Sequence, residues 1–237
     1  MAKLCAVILL VGCGSSGPKA DPPEFPDDHK LHDLSTDDAQ ASHIRYGGKQ
    51  VSLADIPIIS EKIGLPVTGT GDVSIDLTIP KVGRTPDYTK ATGTISIACT
   101  KCQIGDDTAR LKMPTKSKRA NAFAGEGVWF GHVTIDSLEL TMIAANGRLE
   151  LTSWKFVSPD IDIQLALTVE LRKSLQDSDL DGCVRFKVSD ALEKRDPKTH
   201  AALWLTGAHL GADRFFNIAV QGAVKNPRRI SRECKIN

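Results

Sequence analysis

The chain has 237 residues, enough to bury a substantial core as one large β domain or two small ones. Thirty basic side chains against twenty-nine acidic ones leave a formal charge of +1, and aromatic residues make up 5% of the chain. That balance points neither to nucleic acid nor to a broadly acidic surface, and so few aromatics argue against a stacking platform for single strands.

At the N-terminus, Lys3 precedes the apolar run Leu4–Val11, which ends in Leu10-Val11-Gly12-Cys13. This small-residue cleavage pattern closed by cysteine has the form of a bacterial lipoprotein signal. The run is eight residues long, whereas a spanning helix needs about 20, so export is its physical meaning; the alternative is a start placed inside a longer gene. Residues 1–12 are expected to be a signal peptide that is removed, leaving Cys13 lipidated. Each buried acyl methylene contributes about 0.8 kcal/mol and stable anchoring takes more than one chain. The expected location is the periplasmic face of the cell envelope, and Gly14, standing where an aspartate retains some lipoproteins at the inner membrane, favours the outer one.

Residues 13–48 are rich in Gly, Ser, Pro and Asp and poor in large apolar side chains, with acidic residues concentrated between Asp21 and Asp38. Such a segment buries too little to offset its ordering entropy and reads as a disordered tether, reaching roughly 30 Å as a flexible coil. The remainder, 49–237, reads as one β-rich domain. It opens with a strand at Lys49–Leu53 and a short helix, with Asp55 as N-cap, Pro57 in the first turn, and Gly64 and Pro66 as stop after Ile63.

Strand patterns then take over. Val73, Ile75, Leu77 and Ile79 alternate with Asp72, Ser74, Asp76 and Thr78, and Ile95, Ile97 and Cys99 repeat the rhythm; every apolar side chain falls on one face. Gly69, Gly71 and Gly93 precede these runs and a link from Pro80 to Pro86 separates them, as in an antiparallel meander. Val133 and Ile135 change phase to Leu138 and Leu140, and Leu149 and Leu151 to Trp154 and Phe156, which predicts bulges or closely joined strands. Ile161, Ile163, Leu165, Leu167, Val169 and Leu171 give the longest period-2 run and a candidate apolar groove. A second short helix is predicted at Ala191–Arg195, capped by Ser189 and stopped by Pro197. Leu203 and Leu205, then Phe216, Ile218 and Val220, predict a closing hairpin. The basic end, Arg228, Arg229, Arg232 and Lys235, reads as a solvated tail.

The glycine-led strand pairs from Val67 onward, closed by Cys99-x-x-Cys102-x-Ile-Gly-Asp and Leu111-Lys-Met-Pro114, resemble the type II secretion system protein N family (general secretion pathway protein N). Leu53–Pro66, Arg185–Pro197 and Gly222–Pro227 extend the resemblance, which covers roughly Val51 to the C-terminus with a shortened N-terminal part. It rests on the order of these motifs. It implies an AsmA-like fold, mainly β, an elongated curved antiparallel sheet forming a trough with one or two short helices. A β-sandwich would give the same alternation. It also implies a non-enzymatic scaffold working with other secretion-system components. An envelope lipoprotein that binds lipid or another apolar ligand along an open β groove is the second reading.

Candidate chemistry is sparse. Cys99-Thr-Lys-Cys102 is compatible with half a zinc site, a redox pair or a structural disulfide. Zinc takes four ligands and no second pair is spaced to supply them; a redox pair belongs at a helix N-terminus, and this one ends a strand. In an exported protein a disulfide is favoured, contributing about 2 kcal/mol for so small a loop. With Cys5 lost and Cys13 acylated, Cys99, Cys102, Cys183 and Cys234 allow three pairings. Asp177, Asp179 and Asp181, followed by Gly182, resemble the start of a calcium loop, although Val188 stands where the closing glutamate belongs; a solvated hairpin turn is the plainer reading. His29, His32, His43, His132, His200 and His209 are scattered. No nucleophile elbow, zinc-protease or phosphate-loop motif occurs, so neither a cofactor nor a catalytic set is predicted. Trp129-Phe130, Trp154 and Trp204 read as core anchors.

Overall fold

A computed structural model describes residues 24–56, 66–106, 108, 110–111, 128–129, 131–197 and 207–236. The expected signal peptide, Cys13, the body of the helix expected before Gly64, Phe130, and Leu203 and Leu205 of the expected hairpin, with Trp204 between them, lie outside the described residues.

Among the described residues fifteen strands follow in chain order: β1 (His32–Asp33), β2 (Thr36–Asp37), β3 (Ala41–Ser52), β4 (Val67–Val82), β5 (Thr85–Pro86), β6 (Thr92–Ile104), β7 (Arg110–Leu111), β8 (Val128–Trp129), β9 (Val133–Ala145), β10 (Arg148–Val157), β11 (Ile161–Glu170), β12 (Asp179–Val188), β13 (His209–Leu210), β14 (Phe216–Ala223) and β15 (Arg228–Ile230). Thirteen of them form one antiparallel sheet in the order β1-β3-β4-β6-β9-β10-β11-β12-β14-β13, with β2, β5 and β15 as short side strands. β7 and β8 pair separately. The protein is mainly β and its sheet is open: β3 is flanked by β1 and β2, β14 by β13 and β15, and no pairing among the described residues joins these two borders. The expected antiparallel sheet is therefore present, as a single sheet and not as the two of a sandwich.

Alternation explains the register. Val73 stands opposite Ile97, which stands opposite Leu140, which stands opposite Trp154. Ile75, Ile95, Met142 and Leu151 form the next row, so one face is apolar across these four strands. Both expected phase changes are present. Thr152 is an extra residue in β10, between Leu151 and Ser153. In β9 the change from Ile135 to Leu138 lies opposite an equal change in β6 from Cys102 to Cys99, where Lys101 has a positive φ of 56°. Bulges of this kind bend a strand and increase its twist.

The tether reading of 13–48 requires correction over its described part. Strand β3 begins at Ala41, not Lys49, and Phe25 is 7% exposed. Local composition hides this because the partners are backbone and ring. A Cβ on Gly47 would lie 2.8 Å from the Phe25 ring, and one on Gly48 would lie 2.1 Å from the Lys30 carbonyl oxygen; two missing side chains let the N-terminal segment lie against the sheet. Asp55 belongs to a 3-10 turn, Leu53–Asp55, and the helix it was expected to cap lies outside the described residues. The second helix is as expected: α1 (Asp190–Arg195) is capped by Ser189, whose hydroxyl accepts from the Leu192 amide at 3.1 Å. Arg228–Ile230 pairs with β14, so the basic end is not a free tail.

Among the described residues three buried clusters hold the apolar face. One gathers Val133, Ile161, Phe186, Val188 and Phe216 under Leu192 of α1. A second gathers Val51, Leu53, Val67, Val73, Cys99, Cys102 and Ile135. The third joins Ile79, Ala91, Val169 and Leu171 beneath the 3-10 turn Tyr88–Lys90.

Candidate functional site

Packing on the apolar face is concentrated at its ends. Of the candidate groove, Ile161, Val169 and Leu171 are buried in the end clusters, while Ile163, Leu165 and Leu167 between them remain half-exposed. Ile75, Leu77, Ile95, Ile97, Leu138, Leu140, Leu151 and Trp154 are half-exposed as well. The middle of the sheet therefore presents Ile and Leu side chains that no described element covers completely, between closed ends.

The sheet is discontinuous beside this region. β10 and β11 pair only at Arg148–Glu150 with Thr168–Glu170. Beyond that the strands part, and the Trp154 indole N–H donates to the Ile163 carbonyl oxygen at 2.8 Å, with Phe156 stacked on the same indole at 5.9 Å between centroids. Trp154 is half-exposed and belongs to none of the three buried clusters, so the expected core anchor is instead a side chain that satisfies one backbone carbonyl at the parting. Buried or half-buried backbone groups need such partners.

The polar face is organised by Arg185. Its Nε donates to Asn217 Oδ1 at 3.0 Å and its Nη1 to Gln164 Oε1 at 2.9 Å, Nη2 pairs with Asp213, and the guanidinium lies 4.7 Å from the Phe215 ring centre. Asn217, fully buried, donates to the Phe215 carbonyl at 2.8 Å. Asp213 is held below the ordinary carboxylate range, chiefly by the Phe215 amide, which together with Arg185 outweighs the opposing effect of burial. Sequence reading missed this group because its members come from three separate stretches; the polar side chains alternating with apolar ones along β12 and β14 were the one available signal.

Cys99 and Cys102 lie at disulfide distance, with Cα atoms 6.3 Å apart across the β6 irregularity, and Cys183 and Cys234 pair likewise over a separation of 51 residues. The calcium reading of Asp177, Asp179 and Asp181 requires correction. Asp177 receives Lys225 at 2.6 Å, Asp179 receives Arg172 at 2.7 Å, and Asp181 receives Gln221 at 2.8 Å. The three carboxylates are drawn to different partners, and among the described residues no three His, Cys, Asp or Glu side chains gather to hold a metal ion. His32 pairs with Asp28 at 2.8 Å and His43 lies 3.1 Å from Thr78 Oγ1; the described histidines do not converge. No described helix is long and apolar enough to cross a membrane.

No family model, no curated protein and no solved structure matches the chain.

Proposed function

We propose that this chain is a non-enzymatic scaffold of the type II secretion apparatus, anchored through Cys13 at the periplasmic face of the envelope, with the apolar face of its sheet as a docking surface. The observation that carries the proposal is the half-exposed centre of that face, from Ile75 and Ile97 to Leu140 and Trp154. Contiguous apolar area of this kind marks interaction sites, while the short strands along β3 and β14 discourage edge-to-edge pairing. The motif order described above, from Leu53 to Pro227, supplies the choice of system.

Chemical cross-linking in envelopes of the source bacterium, followed by capture of the tagged chain, tests the reading. The expected result is recovery of secretion-system components with the wild type and their loss with Ile97→Glu, which places a charge in the half-exposed centre. Deletion of the gene should lower the yield of secreted enzymes in the medium. Capture of none of these components, with secretion unchanged, overturns the proposal.

The exposure of Ile163, Leu165 and Leu167 favours a second reading, an apolar-ligand carrier. Photo-cross-linking groups placed at these positions should then label co-purifying lipid. Labelling equal to that at the polar-face position Lys187 removes this reading.

A further inference from the structure

The two borders of the open sheet carry opposite charge. After β14 the chain runs through Lys225, Arg228, Arg229, Arg232 and Lys235, all exposed, with Glu233 as its one carboxylate, and β15 fixes Arg228 and Arg229 along that border. Asp177 takes Lys225 at 2.6 Å, whereas no described carboxylate pairs with Arg228, Arg229, Arg232 or Lys235. Charges within the sheet are treated differently. Arg45 meets Asp76 at 3.3 Å, Lys155 meets Glu139 at 3.0 Å and Arg148 meets Glu170 at 2.7 Å, each across neighbouring strands. The four unpaired cations, crowded between Arg228 and Lys235, repel one another unless an outside surface supplies counter-charge.

The opposite border has that counter-charge. Residues 24–38 run beside β3 through β1 and β2 and hold Glu24, Asp27, Asp28, Asp33, Asp37 and Asp38 against one lysine, Lys30. Lys81 meets Asp37, and His32 and His43 face Asp28 and Asp38, but Glu24, Asp27 and Asp33 meet no described cation. Only short strands lie outside β3 and β14, so contact between borders falls to side chains and not to backbone pairing. Ile44 of β3 and Val224 after β14 pack against one buried cluster, yet no ion pair among the described residues joins the two borders. Within one copy the opposite charges stay apart. We infer that the basic β15 border of one copy docks on the acidic β1–β2 border of a second copy, a heterologous contact that each added copy can repeat. Exposed charges in such a contact select the partner by complementarity and make the association sensitive to salt. The inference uses the borders and not the apolar face, so it stands or falls separately from the function proposed above.

Sedimentation velocity of the full chain carrying Cys13→Ser, which removes an acyl chain as a cause of association, tests the contact. Association at about 20 mM salt that weakens by about tenfold or more at about 500 mM is expected. Glu24→Lys/Asp27→Lys/Asp33→Lys turns the acidic border basic, and Arg228→Glu/Arg229→Glu/Arg232→Glu turns the basic border acidic. Each variant alone should sediment as a monomer with its melting temperature kept, and an equimolar mixture of the two should associate again. Carbodiimide coupling in a mixture of unlabelled and heavy-nitrogen chains without these reversals should join Lys235 to Asp27 or Asp33 with both labels in one product. A monomer at about 20 mM salt, a variant mixture that does not associate, or coupled products confined to one label, which would mean that each chain closes on itself, would each overturn the inference.

Discussion

Asp160 has no exposed surface, yet it joins three parts of the chain. One carboxylate oxygen accepts from the Thr134 amide at 2.7 Å and the other from Arg195 at 2.9 Å, while its carbonyl accepts from the Ser189 amide at 2.9 Å. The β10–β11 turn is thereby fixed to the start of β9 and to α1. Burial pushes the Asp160 carboxyl up, but Arg195 and the Thr134 amide outweigh burial and hold it below its ordinary value of 3.8. A folded pKa below the unfolded one contributes stability that is complete above pH 3.8 and is lost as pH falls through the folded value. Arg195→Met should leave a buried carboxylate without its cation. Removing one partner of a fully buried pair costs about 3–5 kcal/mol, and the 45% exposure of the Arg195 side chain reduces the expectation to about 2 kcal/mol. Urea unfolding should show that loss at pH 7 and a shrinking difference from wild type below pH 3.8; a difference independent of pH would mean that the side chain acts through packing alone.

At the scale of strands, the paired slips in β6 and β9 form one structural unit. Lys101 and Asp136 are the one step that the otherwise constant β6–β9 register skips, between Thr100–Ser137 and Cys102–Ile135, and at Lys101 the register of β6 to β4 shifts. Deleting Lys101 alone should leave β9 with a surplus residue and throw Ile135 and Val133 out of phase with β6; deleting Asp136 alone does the reverse. Deleting both restores matched alternation, so the double deletion should melt above either single deletion, a non-additivity expected of residues in one contact. Melting curves recorded under reducing conditions check this without the Cys99–Cys102 bond as a variable, and a double deletion that melts below both single ones removes the argument. The slips were legible in the sequence because Ile135 to Leu138 and Leu151 to Trp154 break a period of two. The start of β3 was not, because Gly47 and Gly48 interrupt its pattern and its support comes from Phe25 and the Lys30 carbonyl, which are distant in sequence. Asp177, Asp179 and Asp181 misled because spacing along a strand does not reveal that Lys225, Arg172 and Gln221 draw the three carboxylates to different partners.

For the molecule as a whole, the sequence shows which residues face inward but not which strands border one another. β14 lies beside β12, so Cys183 stands opposite Ala219 and within reach of Cys234, a pairing that four cysteines and local periodicity leave open. The consequence is mechanical. In an open sheet the last long strand has no closure to hold it, and here β15 and the Cys234 strap take that place. The chain-entropy relation gives about 4 kcal/mol for a loop of 51 residues and about 2 kcal/mol for the short Cys99–Cys102 loop. Cys183→Ala/Cys234→Ala should therefore lower the free energy of unfolding about twice as much as Cys99→Ala/Cys102→Ala, measured by guanidinium titration without reductant. Hydrogen exchange supplies the spatial half of the prediction. In the first variant, faster exchange should begin at Arg228–Ile230 and the adjoining edge of β14, leaving β4 and β6 protected, because an open sheet frays from its border inward. Uniform loss of protection across the sheet would show that the strap supports the entire fold and not one edge.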